Sequence, residues 1–231
     1  AFETPTTTEL ANRPSGAGGF NPELEPQRTL SFELGTRGTR GAALSWQAAL
    51  YHARVEDALI PFEVAQAAGR QFFRNAGSAV HRGAELALAA APAPGALAQL
   101  AWTWTDARFD DYATADVRFD GNRIPGVAPH RVEGALTWQR RGWLVGLEHR
   151  WQDEMPVDDA NTASSGAYHL TDVRAAMEMA GPRGVALEPY AGVSNLLDRR
   201  YDASVVVNAF GGRYYEPGPG RSLYGGLRVG F

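Results

Sequence analysis

The chain ends Arg221-Ser222-Leu223-Tyr224-Gly225-Gly226-Leu227-Arg228-Val229-Gly230-Phe231, and this stretch decides how everything before it is read. Leu223, Leu227, Val229 and Phe231 fall on one face with Gly225 between them, while Ser222, Tyr224, Gly226, Arg228 and Gly230 fall on the other. Alternation with period two describes a β-strand with one apolar and one polar face. Termini fray, so a soluble domain seldom closes on a bare aromatic in mid-strand. A closed transmembrane barrel does so naturally, because its last strand pairs with its first and no edge remains.

Composition agrees with that reading. No stretch of the 231 residues approaches the ~20 uninterrupted apolar residues of a membrane helix. The absence of Cys excludes disulfides and thiolate metal sites. A net charge of -4 and a pI near 5.8 argue against nucleic acid as a partner. A mean hydropathy of -0.30 is too polar for a helical membrane protein but not for a barrel, in which only alternate residues face lipid.

Residues 1–26, rich in Pro, Gly, Thr and Asn, read as a loop. Nine strand candidates follow, at 28–38, 42–60, 71–90, 96–109, 130–140, 143–152, 167–180, 185–198 and 221–231. Outward residues alternate along each, for example Leu30, Phe32 and Leu34 in the first and Leu100, Trp102 and Trp104 in the fourth. Tight turns such as Arg140-Arg141-Gly142 alternate with longer loops, as a bacterial barrel requires. Pro189 is the weak point, since it removes one ladder donor. Trp143 and Trp151 stand eight residue steps apart, which at ~3.3 Å each and a tilt of about 40° rise roughly 20 Å, close to the ~25 Å between aromatic girdles.

Glu33, Glu85, Arg131, Glu133, Glu148, Arg150, Asp172, Arg174 and Arg228 recur on the opposite face. A narrow interior would force these charges to pair, whereas a wide, wet or plugged lumen hydrates them. The barrel is therefore expected to be large. An odd count of nine and a start in a loop make this the expected C-terminal portion of a longer chain, since single-chain bacterial barrels have even strand numbers.

Several local sequences resemble one family, the TonB-dependent outer-membrane receptors. Phe2-Glu3-Thr4-Pro5-Thr6-Thr7-Thr8-Glu9-Leu10 with Asn21-Pro22-Glu23-Leu24-Glu25-Pro26 resembles their "F-x-x-P-T-x-x-E-L … N-P-x-L-x-P-E" loop, with Gln27 where Glu is usual. Asn75-Ala76-Gly77 with Gly83-Ala84-Glu85 resembles "N-x-G-x-x-x-x-x-G-x-E". Asn195-Leu196-Leu197-Asp198-Arg199-Arg200-Tyr201 resembles "N-L-F-D-K-x-Y", with Leu197 for Phe and Arg199 for Lys. Gly220-Arg221 running into Gly226-Leu227 resembles "G-R-x-x-x-x-G-L", and Tyr224, Gly226, Val229 and Phe231 resemble the terminal signal by which the barrel assembly machinery recognises its clients.

The resemblance implies an all-β fold: the last nine or so strands of a 22-stranded transmembrane antiparallel barrel, with 1–26 an extracellular loop and 27–231 membrane strands and their loops. The plug domain and the TonB-contacting segment have no counterpart in 1–231. The implied function is TonB-dependent uptake of a scarce ligand, a ferric siderophore first, across the bacterial outer membrane. Implied partners are outer-membrane lipid, the missing plug and strands, the TonB complex and a small-molecule iron chelate. A self-contained small barrel acting as pore, adhesin or membrane enzyme is the alternative, and a soluble β-sandwich is a third reading. The loop 205–221 is the best candidate ligand contact, through Asn208, Phe210, Arg213, Tyr214, Tyr215 and Arg221, because aromatics beside Arg suit an anionic aromatic chelate. Asn12, Arg13 and Asn21 form a second candidate. No enzyme and no cofactor is expected: the histidines, His52, His81, His130, His149 and His169, show no metal-ligand spacing, and Ser164-Ser165-Gly166 lacks a nucleophile-elbow context. Inward His and Asp groups leave open both a catalytic dyad and a lumenal hydrogen-bond network.

Overall fold

The computed structural model describes residues 1–11, 13, 19–114 and 117–230, so Asn12 and Phe231 lie outside the described residues. Nine long strands form the wall: β1 (Gln27–Arg40), β2 (Leu44–Glu56), β3 (Ser78–Ala90), β4 (Ala96–Asp111), β5 (His130–Arg140), β6 (Trp143–Gln152), β7 (Tyr168–Met177), β8 (Ala186–Ser194) and β9 (Ser222–Gly230). Each pairs antiparallel with its chain neighbour. Phe2–Glu3 adds a short strand against Gln27 and Arg28 at one end of β1. The wall is not closed. The rest of the β1 edge and the outer edge of β9 have no strand partner among the described residues.

Register fixes the two faces. Leu136, Leu147, Val173, Val193 and Leu223 lie opposite one another across five consecutive strands, giving an unbroken apolar row. One residue along, Ala135, Glu148 and Asp172 form the neighbouring row on the inner face. All nine charged residues assigned inward share that face, and several pair there: Arg150 donates to Asp172 over 3.1 Å, and Arg228 pairs with Glu188. Outward side chains on inner strands keep partial cover, as with Leu147 at 41% exposed, while Leu34 on β1 and Leu223 on β9 reach 76% and 77% for want of a neighbouring strand.

The turns on one side are short. Arg141 and Gly142 both take positive φ, 53° and 81°, the two-residue geometry whose twist matches a hairpin. At Pro189 the β7–β8 ladder lapses between Ala176↔Tyr190 and Met179↔Leu187, then resumes in the same register. Pro189, without an N–H, faces Met177 at the gap, and on the other side of β7 the Glu178 N–H donates to the Gly142 carbonyl, 2.7 Å away. The strand expected at 167–180 is thereby split.

Three other expected bounds shorten. β2 stops at Glu56, where Asp57 takes φ 57° and turns the chain, and β3 begins only at Ser78. Leu59–Phe62 and Phe72–Asn75 leave the wall and form their own hairpin. β8 ends at Ser194, with Asn195 at φ 49° starting a turn. On this side the described residues of the long connections 57–77, 112–129, 153–167 and 195–221 fold together into a cap. Its apolar centre comprises Val55, Ala58, Ile60, Ala76, Ala79, Phe109 and Tyr112, with Phe119 and Ile124 against it.

Candidate ligand site in the loop cap

The cap is assembled around a carboxylate. Asp159, only 3% exposed, sits in the 153–167 loop and receives the Tyr112 hydroxyl at 2.9 Å and the Asn208 side-chain amide at 3.0 Å. Its own N–H donates to the Asn208 side-chain oxygen, and its carbonyl accepts from the Asn122 amide, both at 2.9 Å. The Arg74 guanidinium stands 3.5 Å away and lies over the rings of Phe62 and Tyr112, 4.5 and 5.5 Å from their centroids. Burial, first, and then the Asp159 charge push the Tyr112 hydroxyl well above its ordinary pKa, so it stays a donor. Backbone and side-chain hydrogen bonds from Tyr112 and Arg118 hold the Asp120 carboxyl below the usual range.

The candidate residues of 205–221 fall into different settings. Asn208, at φ 54°, is occupied by Asp159 and by the Pro61 carbonyl at 2.9 Å, so it ties loops together. Arg213 pairs with Glu63 over 2.8 Å; the Glu63 side chain is 4% exposed and also accepts the N–H groups of Gly69 and Phe210. Tyr214 and Tyr215 meet edge to face, 5.9 Å between centroids, and the exposed Tyr215 gives its hydroxyl to the Ser164 carbonyl. Burial, then Asp158, raise the Tyr214 pKa. Arg221 lies apart at the foot of β9, 3.7 Å from Asp198. The structure therefore brings Tyr214 and Tyr215 together, sets Arg213 against Glu63, and holds Arg221 apart beside Asp198. Arg213 lines a cleft of ≈ 610 Å³ together with Glu63, Arg70, Phe73, Val206 and Glu216.

In the second candidate, the Asn21 side-chain oxygen accepts the Glu23 N–H in a local turn, and the residue is buried. The inward placement of histidine holds for His81 alone; His52, His130, His149 and His169 share the outward face by register. His149 and His169 stack across β6 and β7 with centroids 5.9 Å apart, and Arg199 donates to His169. Ser165 is buried and gives its hydroxyl to Asp202, and Ser164 gives its own to Glu154.

Tyr224 and Gly226 have a local role in the wall. Tyr224 lies over Gly192 and Tyr190 over Gly226, each a cross-strand partner, so two glycines on β8 and β9 accept two rings. Val229 faces outward opposite Leu187.

Residues 1–196 match the family model of the TonB dependent receptor-like β-barrel. The chain belongs to the TonB-dependent receptor family. The barrel wall of such receptors recurs in solved structures: the ferric yersiniabactin uptake receptor FyuA from Yersinia pestis has 24% identity and a TM-score of 0.67 over 88% of this chain and 30% of its own. The siderophore receptor PiuA from Acinetobacter baumannii gives 18% and 0.71, over 91% of this chain and 30% of its own. The copper transporter OprC gives 20% and 0.72, over 98% and 36%. This member of the TonB-dependent family thus spans about a third of the length of the structures it matches.

Proposed function

We propose that these strands are the C-terminal part of an outer-membrane receptor barrel that takes up a scarce ligand, most readily a ferric siderophore, in a TonB-dependent manner. The observation that carries this reading is the family match over residues 1–196. An outward apolar face, an inward charged face and one-sided long loops support it. The long loops then lie outside the cell, and the outward face meets lipid. A plug and the remaining strands complete the lumen, and TonB acts through them. Tyr224, Gly226, Val229 and Phe231 serve as the assembly signal.

Ligand contact is assigned to Arg213, Tyr214 and Tyr215, with Arg221 below them and Asn208 holding their loop in place. Arg213 is 55% exposed at its side chain even while paired, so its charge is available to an anionic chelate, and the Tyr214–Tyr215 ring pair follows it directly along the chain. Cells lacking the gene should lose uptake of radiolabelled ferric chelates under iron starvation, and collapse of the inner-membrane potential should abolish uptake in the parent. Unchanged uptake for every chelate class tested, with copper uptake lost instead, would move the cargo to copper. Arg213→Gln combined with Glu63→Gln, which avoids stranding a buried carboxylate, should weaken chelate binding about tenfold, the value of one hydrogen bond to a charged group. Equal affinity in wild type and double variant would remove Arg213 from the site.

A further inference from the structure

We infer that Asp159 locks the four long loops into one body, so that a ligand held by any loop acts on all of them together. Four segments meet at this residue, and each contributes a different chemical group. Arg74 of 57–77 brings charge, Tyr112 and Asn122 of 112–129 bring a hydroxyl and an amide, and Asn208 of 195–221 brings both an amide donor and an acceptor. Arg74, the Tyr112 hydroxyl and the Asn208 amide reach the carboxylate itself, while Asn122 and the Asn208 oxygen bond the Asp159 backbone. A buried carboxylate needs its three partners, since an uncompensated charge in a dry setting is far costlier than a missing contact in water. Withdrawing one loop therefore strands the carboxylate for the rest, which is what makes the assembly all-or-none.

Secondary junctions repeat the pattern pairwise. Arg123 and Asn161 exchange two 2.8 Å hydrogen bonds, Gly126 donates to the Pro156 carbonyl, and Asn208 donates its N–H to Val157. Glu63 collects donors from Gly69, Phe210 and Arg213, fastening the hairpin of 57–77 to the tip of 195–221. Arg213 thus stands on the same rigid unit as Asp159. Movement of the cap on ligand entry is then either a rigid-body shift against the wall or a concerted opening, and never the closure of a single loop. This inference rests on reading the long loops as the ligand-facing side.

Amide exchange by mass spectrometry on the full gene product folded in bilayers, without ligand, tests it. Asp159→Ala should raise exchange in 57–77, 112–129, 153–167 and 195–221 together, by about 10- to 100-fold, while β1–β9 keep their protection. Loosening confined to 153–167 would overturn the inference. Asp158→Ala serves as the contrast, because Asp158 bonds Thr162 within its own turn and should loosen that loop alone. Should Asp159→Ala fail to fold, Tyr112→Phe removes one hydroxyl and leaves the carboxylate. Arg74 of 57–77 lies beside that hydroxyl, so 195–221 is the segment that decides. Loosening that reaches 195–221, which the hydroxyl does not touch, supports the lock, and loosening limited to 57–77, 112–129 and 153–167 overturns it. Because no ligand is present, failure of the exchange result and failure of the uptake reading are separable.

Discussion

Tyr190 and Tyr224 cross the β8–β9 seam in opposite directions, and each ring rests where the partner strand has no side chain. A Cβ built on Gly226 comes within 2.5 Å of the Tyr190 hydroxyl and 2.7 Å of Cζ. Gly226→Val therefore forces Tyr190 off the strand and should cost about 1 kcal/mol of cross-strand packing. Once Tyr190→Ala has removed the ring, the same valine should cost little, so the cycle should be non-additive by roughly 0.5–1 kcal/mol in denaturant titrations in bilayers. Strict additivity would show that the ring contributes nothing to the seam. Tyr112 offers a second residue-scale test. Its pKa is raised in the folded cap, so the stability it lends is complete below the ordinary tyrosine value of ~10 and is lost as pH rises through the raised folded value. Near-ultraviolet circular dichroism should show the wild-type cap loosening above about pH 10 more steeply than Tyr112→Phe. Superimposable titrations would mean Tyr112 carries no such linkage.

At the scale of the strand, alternation tells the two faces apart, and substitution should reveal which is which. Val145 lies on the outward face between Trp138 and Ala175 in register. Val145→Arg should cost roughly 2–4 kcal/mol in lipid. Ala135→Arg, inward and opposite Glu148, should stay within about 0.5 kcal/mol. Similar costs for the two would show the facing to be wrong. The same period-two pattern made β1 and β4 to β6 legible from sequence almost to the residue, because nothing interrupts it there. It failed where apolar residues continue after the backbone has turned: Leu59 and Ile60 lie beyond the bend at Asp57 and read as the end of β2, although Leu59–Phe62 pairs with Phe72–Asn75. Pro189 was legible as a defect, but not the matching lapse at Met177 and Glu178, since only the pairing shows that these stand opposite Pro189 and Glu188.

At the scale of the molecule, the cap was illegible for a different reason. Tyr112 and Asp159 are 47 residues apart, and Asn208 and Pro61 are 147 apart, so no local period joins them. The one available hint was chemical, in the apolar Ile60, Phe72 and Tyr112 within segments otherwise read as loops or strand ends. The wall makes its own demand on the surroundings. β1 and β9 each present a long row of backbone donors and acceptors beside their most exposed leucines. Interior strands satisfy both groups through two neighbours, whereas β9 has one and β1 has one beyond the end that Phe2–Glu3 covers. An unpaired edge beside an apolar face is a template for further strand addition. The 231-residue chain produced alone should therefore aggregate when detergent is removed, and light scattering should rise with protein concentration. Arg substitution on the edge, at Leu34 and Leu223, should delay the onset without restoring a monomer, because it blunts the apolar face and leaves the backbone row intact. A monodisperse soluble monomer in plain buffer would show that the two edges find each other or are otherwise covered, and that the wall can close on its nine strands alone.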